Sequence, residues 1–117
     1  MAAILSNNND KKFKLKAPDI TNFDGDDANW RKWKTNTKVV FIASGYASIL
    51  TDQSYASSHP AENRIVYAKL SSATVEGTAH HVVAQFITQQ DGYGSWTALL
   101  HWYDGDDVIA DVAASLR

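Results

Sequence analysis

The stretch Phe23-Asp24-Gly25-Asp26-Asp27-Ala28-Asn29-Trp30-Arg31-Lys32-Trp33-Lys34 constrains the fold more than any other part of the chain. An acidic turn with a glycine supplies a helix cap. Trp30 and Trp33 follow three residues apart, on one face of the helix that the cap opens. The stretch Ser95-Trp96-Thr97-Ala98-Leu99-Leu100-His101-Trp102-Tyr103 has the same character, with Trp96, Leu99 and Tyr103 at spacings of three and four. Two aromatic stripes with a helical period predict an all-α chain.

Between and beyond them the same period recurs. The first helix is expected from Asp27 to Ser44, with Trp30, Trp33, Thr37, Val40 and Phe41 on its stripe and Gly45 as its stop. Ile20 and Phe23 precede the turn and are expected to pack back on the first turn of that helix. A short turn from Tyr46 to Leu50 adds Ile49 and Leu50 to the core, and a polar loop runs on to His59. Pro60 then suits the first position of a second long helix, which carries Val66, Leu70 and Ala73 and is expected to end at Gly77. Ala79, Val82, Val83, Phe86 and Ile87 follow the i, i+3, i+4, i+7, i+8 pattern and predict a helix over Thr78 to Thr88. Ser95 is read as the cap of the next helix, with Trp96, Leu99, Leu100 and Tyr103 inward. Asp104-Gly105-Asp106-Asp107 repeats the earlier turn and is expected to cap a last helix from Val108 to Leu116. The expectation is a bundle of about five helices with an N-terminal extended arm. Its core is Phe23, Trp30, Trp33, Val40, Phe41, Leu70, Val82, Phe86, Trp96, Leu99 and Tyr103.

At 117 residues the chain fits one domain. Residues 1–19 read as a leader rich in Asn, Asp and Lys followed by a basic arm, and residues 20–117 as the helical domain. The helical pattern runs to the chain end without a stop signal, so the chain is expected to be a piece of a longer polypeptide. With no cysteine there is no disulfide framework and no thiolate metal site. The apolar start is too short for a signal peptide, and no run approaches the roughly 18 apolar residues of a membrane span. A soluble chain without a membrane partner is expected. Charge is uneven: residues 1–38 hold eight Lys/Arg against five Asp, whereas residues 39–117 hold three Lys/Arg against eight Asp/Glu. A basic front and an acidic back let copies attract one another head to tail.

The candidate chemical sites have plainer explanations. The two Asp-Gly-Asp-Asp turns are rich in carboxylates, but neither places a Gly and a Glu where a calcium loop needs them, and capping accounts for both. His80 and His81 are adjacent, so they diverge around a helix and cannot share a metal; one of the two is expected to graze the core. Gly92-Tyr93-Gly94-Ser95-Trp96-Thr97 completes neither a nucleophile elbow nor a dinucleotide fingerprint. No catalytic residue, metal ligand, cofactor or small-molecule substrate is assigned, and an enzyme is not expected. Lys32, Lys34 and Lys38 interleave with Trp30 and Trp33 as in a base-stacking platform, yet aromatics on helical stripes more often form core. Trp102 lies off the Trp96/Leu99/Tyr103 stripe, and its exposure would mark a contact surface.

An aromatic, a Gly-containing acidic turn and Asn-Trp-x-x-Trp-Lys, then a later Trp-x-x-Leu-x-x-x-Tyr helix, resembles the N-terminal capsid domain of Gag proteins from copia-type LTR retrotransposons. Both motifs stand in the family's order, and the resemblance covers about Ile20 to Leu116. It implies a structural protein that associates with copies of itself into a shell, a cytoplasmic virus-like particle that packages the element's RNA. The chain has neither a second capsid domain nor a Cys-x-x-Cys zinc knuckle, so RNA contact is expected from regions outside it. The candidate assembly residues are Lys11, Lys12, Phe13, Lys14, Leu15 and Lys16 of the arm, with Trp102, Asp106, Asp107 and Asp111 of the acidic end. The alternatives are a Gag-derived helical adaptor that binds a partner protein and a single-stranded nucleic-acid binder.

Overall fold

A computed structural model describes residues 18–115, with side chains described as far as residue 105. The arm residues Lys11 to Lys16 and the side chains of Asp106, Asp107 and Asp111 therefore lie outside the described residues. Six helices follow in order: α1 (Asp27–Ala43), α2 (Ala47–Thr51), α3 (Gln53–Ser58), α4 (Pro60–Ala73), α5 (Gly77–Ala84) and α6 (Gly92–Ser115). The described residues are all-helical, as the aromatic spacing predicts.

α1 begins where the sequence places it. Asp26 accepts the amide of Ala28 at 2.9 Å, and Asp24 accepts that of Asp26 at 2.9 Å, so the two carboxylates satisfy amides that the first turn leaves without helical partners. Trp30, Trp33, Thr37 and Phe41 are buried along one stripe. Val40, expected in the core, is only half-buried, because it lies at the edge of that stripe. α6 is the central element, packing against α2, α3, α4 and α5. Its approach to α4 needs Gly92: a Cβ there would stand 2.6 Å from both the Asn63 carbonyl and Val66 Cβ. Val66, Leu70 and Leu99, all without solvent exposure, fill the layer between these helices together with Ala73 and Val83. Tyr46 and Tyr67 join this core although the stripes do not mark them.

Several boundaries differ from expectation. α4 ends at Ala73 rather than Gly77, because the buried Thr74 turns its hydroxyl back to the Leu70 carbonyl at 2.7 Å and leaves helical geometry. α5 stops at Ala84, and the chain tightens into i to i−3 bonds from Phe86 to Val83 and from Ile87 to Ala84. Phe86 stays half-buried against the core, while Ile87 turns to solvent. The polar loop before His59 contains α3, capped by Asp52 through the Tyr55 amide at 3.1 Å. The cap of α6 is Asp91, which accepts the Gly94 amide at 3.1 Å. Ser95 is instead a fully buried residue of the first turn, its hydroxyl donating to the Asp91 carbonyl at 2.8 Å. The second acidic turn interrupts α6 at Gly105, whose φ of 41° and ψ of −117° are not helical.

Candidate functional site

The two motifs that frame the chain meet in one aromatic cluster. Phe23 stacks on Trp33 at 5.1 Å between centroids and meets Tyr103 edge-on at 5.1 Å. Tyr103 stacks on Trp30 at 4.8 Å, and Trp96 lies 6.4 Å from Trp30 and 6.3 Å from Trp33. These are favourable offset and edge geometries for ring quadrupoles. Three of the polar handles have hydrogen-bond partners. Trp33 Nε1 donates to the Thr21 carbonyl at 2.7 Å, Tyr103 Oη to the Gly25 carbonyl at 3.0 Å, and Trp30 Nε1 to Asp104 Oδ1 at 2.6 Å. The other oxygen of Asp104 receives Lys34 Nζ at 2.9 Å.

Gly25 lets the first turn seat itself. With φ at +82°, it brings its backbone against Glu76 and Gly77, where a Cβ would lie 3.1 Å from the Glu76 carbonyl. The Phe23 amide, 2.8 Å from the Ala73 carbonyl, fixes the other side of the turn to the end of α4. Burial raises the Tyr103 phenol above its ordinary pKa, with the Asp27 charge next and the Asp24 charge least, and the Ala79 backbone amide acts in the opposite sense. The Tyr46 phenol is raised by burial first and by the Glu62 charge second.

The residues weighed for catalysis and metals are dispersed. Among the described residues no three His, Asp or Glu side chains are grouped to hold a metal ion. His80 and His81 are both exposed, contrary to the expectation that one grazes the core; their rings meet edge-on at 5.6 Å. His59 stacks on Tyr55 at 3.8 Å, with Nδ1 2.8 Å from the Tyr55 carbonyl. Ser95 is sealed from solvent and engaged with backbone, which denies a substrate access to its hydroxyl. No helix among the described residues is long and apolar enough to cross a membrane.

What remains is surface. Indole rings, rather than close backbone contact, span the space between α1 and α6, and an open groove of about 430 Å³ results. Val39, Ile42, Trp96 and Leu100 give it an apolar floor, Lys34 and Lys38 a basic rim, and Asp104 lies at its end. Val39 and Ile42 are 58% and 51% exposed, unusual values for paired aliphatic residues on one helix face. A second, more polar cleft of about 220 Å³ lies between the first turn and α1, beside Asn22, Asn29, Lys32 and Asn36. Trp102, off the Trp96/Leu99/Tyr103 stripe, is 59% exposed. It does not line the α1–α6 groove, because it stands two residues from Leu100 and so on another side of α6.

Sequence reasoning missed the groove and the double role of Asp104. The sequence signal for the groove is the basic spacing of Lys34 and Lys38 on α1, which in sequence accompanies the buried indoles Trp30 and Trp33. Comparison of the chain with protein families, with curated proteins and with solved structures finds no match.

Proposed function

We propose that this chain is a structural capsid domain, similar to the N-terminal capsid domain of copia-type Gag proteins, whose copies associate into a shell around the element's RNA. One observation carries the reading. The two stretches on which the resemblance rests, 74 residues apart at the Trp30–Asp104 bond, form a single interlocked aromatic core. This packing supports the reading in one respect, that both motifs belong to a single core. The role is structural rather than catalytic, and RNA is held by regions outside this domain. A base-stacking function is disfavoured, since Trp30, Trp33 and Trp96 are 4%, 5% and 2% exposed and offer no ring face to a nucleotide.

Sedimentation velocity over a hundredfold concentration range tests the proposal, with electron microscopy of the concentrated samples. Growth into rings, sheets or closed particles is the expected result. A protein that stays monomeric at millimolar concentration and low salt would remove self-association from the reading.

A further inference from the structure

The groove between α1 and α6 and the chain beyond Gly105 are complementary in charge and in apolar pattern. α1 carries Arg31, Lys32, Lys34 and Lys38 against one carboxylate, Asp27. Arg31, Lys34 and Lys38 recur at spacings of three and four, a helical stripe that continues to Ile42. Beyond Gly105 the sequence reverses this balance, with Asp106, Asp107 and Asp111 against Arg117 alone. Val108, Ile109 and Val112 stand at the i, i+1, i+4 spacing of an amphipathic helix, and the backbone is helical to Ser115.

We infer that the acidic helix after Gly105 of one copy docks into the α1–α6 groove of a second copy. Val108, Ile109 and Val112 meet Val39, Ile42 and Leu100, while Asp107 and Asp111 face Lys38 and Arg31. The inference deepens the self-association reading and rests on it. Recognition is of the helix-in-groove kind, in which spaced apolar anchors carry affinity and rim charges set orientation. A single non-helical residue, Gly105, separates this helix from the part of α6 that lines the groove, so its docking site is assigned to a second copy. Only Gly105 interrupts α6, and a helix that folds back along its predecessor needs a connection of about two to five residues. Groove and acidic helix are different surfaces, so the contact is heterologous and each copy presents both halves to further copies. Repetition of it yields a ring or a continuing lattice, according to the angle at Gly105.

Two variants of the full chain test this. One disables the groove through Lys38→Glu and Ile42→Asp, both at exposed positions. The other disables the helix through Asp106→Lys, Asp107→Lys and Asp111→Lys. Each variant alone is expected to need at least tenfold higher concentration than wild type to associate in sedimentation velocity. Their equimolar mixture is expected to form heterodimers that grow no further, because only one competent groove and one competent helix remain. If Ile42→Asp lowers helix content by circular dichroism, Arg31→Glu with Lys38→Glu replaces it and leaves the apolar floor untouched. Wild-type association that both variants reproduce would overturn the docking inference and leave the capsid reading standing. A mixture that stays monomeric would also overturn the inference. A wild-type protein that never associates would sink both.

Discussion

Asp104→Ala should be among the most damaging substitutions at a partly accessible position in this protein. The Asp104 side chain is 14% exposed and binds two groups at once, the indole of Trp30 at 2.6 Å and Lys34 Nζ at 2.9 Å. Trp30 is only 4% exposed, so once the carboxylate is gone its N–H has little access to water. Loss of a hydrogen bond to a charged group costs about 1.5–3 kcal/mol. The Lys34 pair adds about 0–1 kcal/mol, since Lys34 is itself partly solvated. The expected total is about 2–4 kcal/mol, and for a domain of this size each kcal/mol lowers Tm by about 4–8 °C. Urea melts followed by tryptophan fluorescence measure it, with Lys34→Ala as the control that removes the ion pair alone. Lys34→Ala should cost under about 1 kcal/mol, and a cycle with Trp30→Phe should return a coupling of about 1.5–3 kcal/mol between Trp30 and Asp104. A cost under about 0.5 kcal/mol for Asp104→Ala, or a cost for Lys34→Ala as large as that for Asp104→Ala, would refute the double role of Asp104.

Other outcomes follow from the same core. Trp33→Ala removes the ring on which Phe23 stacks and should cost about 3–5 kcal/mol in denaturant melts, a value under about 1 kcal/mol being incompatible with the packing described. Thr37 buries a hydroxyl that has no hydrogen-bond partner among the described residues, so Thr37→Val should raise stability by about 1 kcal/mol, and a loss of that size would show that the hydroxyl is satisfied. Tyr46 and Tyr103 have phenol pKa values raised above the ordinary 10.0, which makes the folded state the better proton binder in alkali. Their contribution is fully present below about pH 10 and is lost as pH rises through the folded values. The urea midpoint should fall above pH 10, and less steeply in Tyr46→Phe; parallel curves for the two proteins would contradict the burial of that phenol.

The helices that could be read from sequence were those whose apolar residues keep a 3.6-residue period against a clear cap. α1 is the clearest case, since Asp26, Trp30, Trp33, Thr37 and Phe41 mark cap and stripe together. α3 gave no such signal because only Ala56 of its six residues is buried. The ends of α4 and α5 were set by Thr74 and by the turn at Phe86, local choices between equivalent hydrogen bonds that periodicity does not report. At the start of α6 two good caps competed, and Asp91 prevailed over Ser95 because Gly92 and Gly94 fit beneath Asn63 and Phe86. The groove was hidden for a different reason. Its floor combines Val39 and Ile42 with Trp96 and Leu100, residues more than fifty positions apart whose juxtaposition depends on how far the indoles hold α1 from α6.

The aromatic cluster also sets the timing of folding. Phe23, Trp30 and Trp33 leave the ribosome long before their partners exist, because Tyr103 and Asp104 are synthesised some seventy residues later. At about 5–20 residues per second that is a delay of about 4–15 s, far beyond the microseconds in which a helix forms. Throughout that interval α1 has its cap and its stripe but not Trp96, Tyr103 or the carboxylate of Asp104. Three large rings of the nascent chain are thus left open to water and to neighbouring chains. Folding of this domain is consequently gated by the arrival of its last helix rather than by the formation of its first.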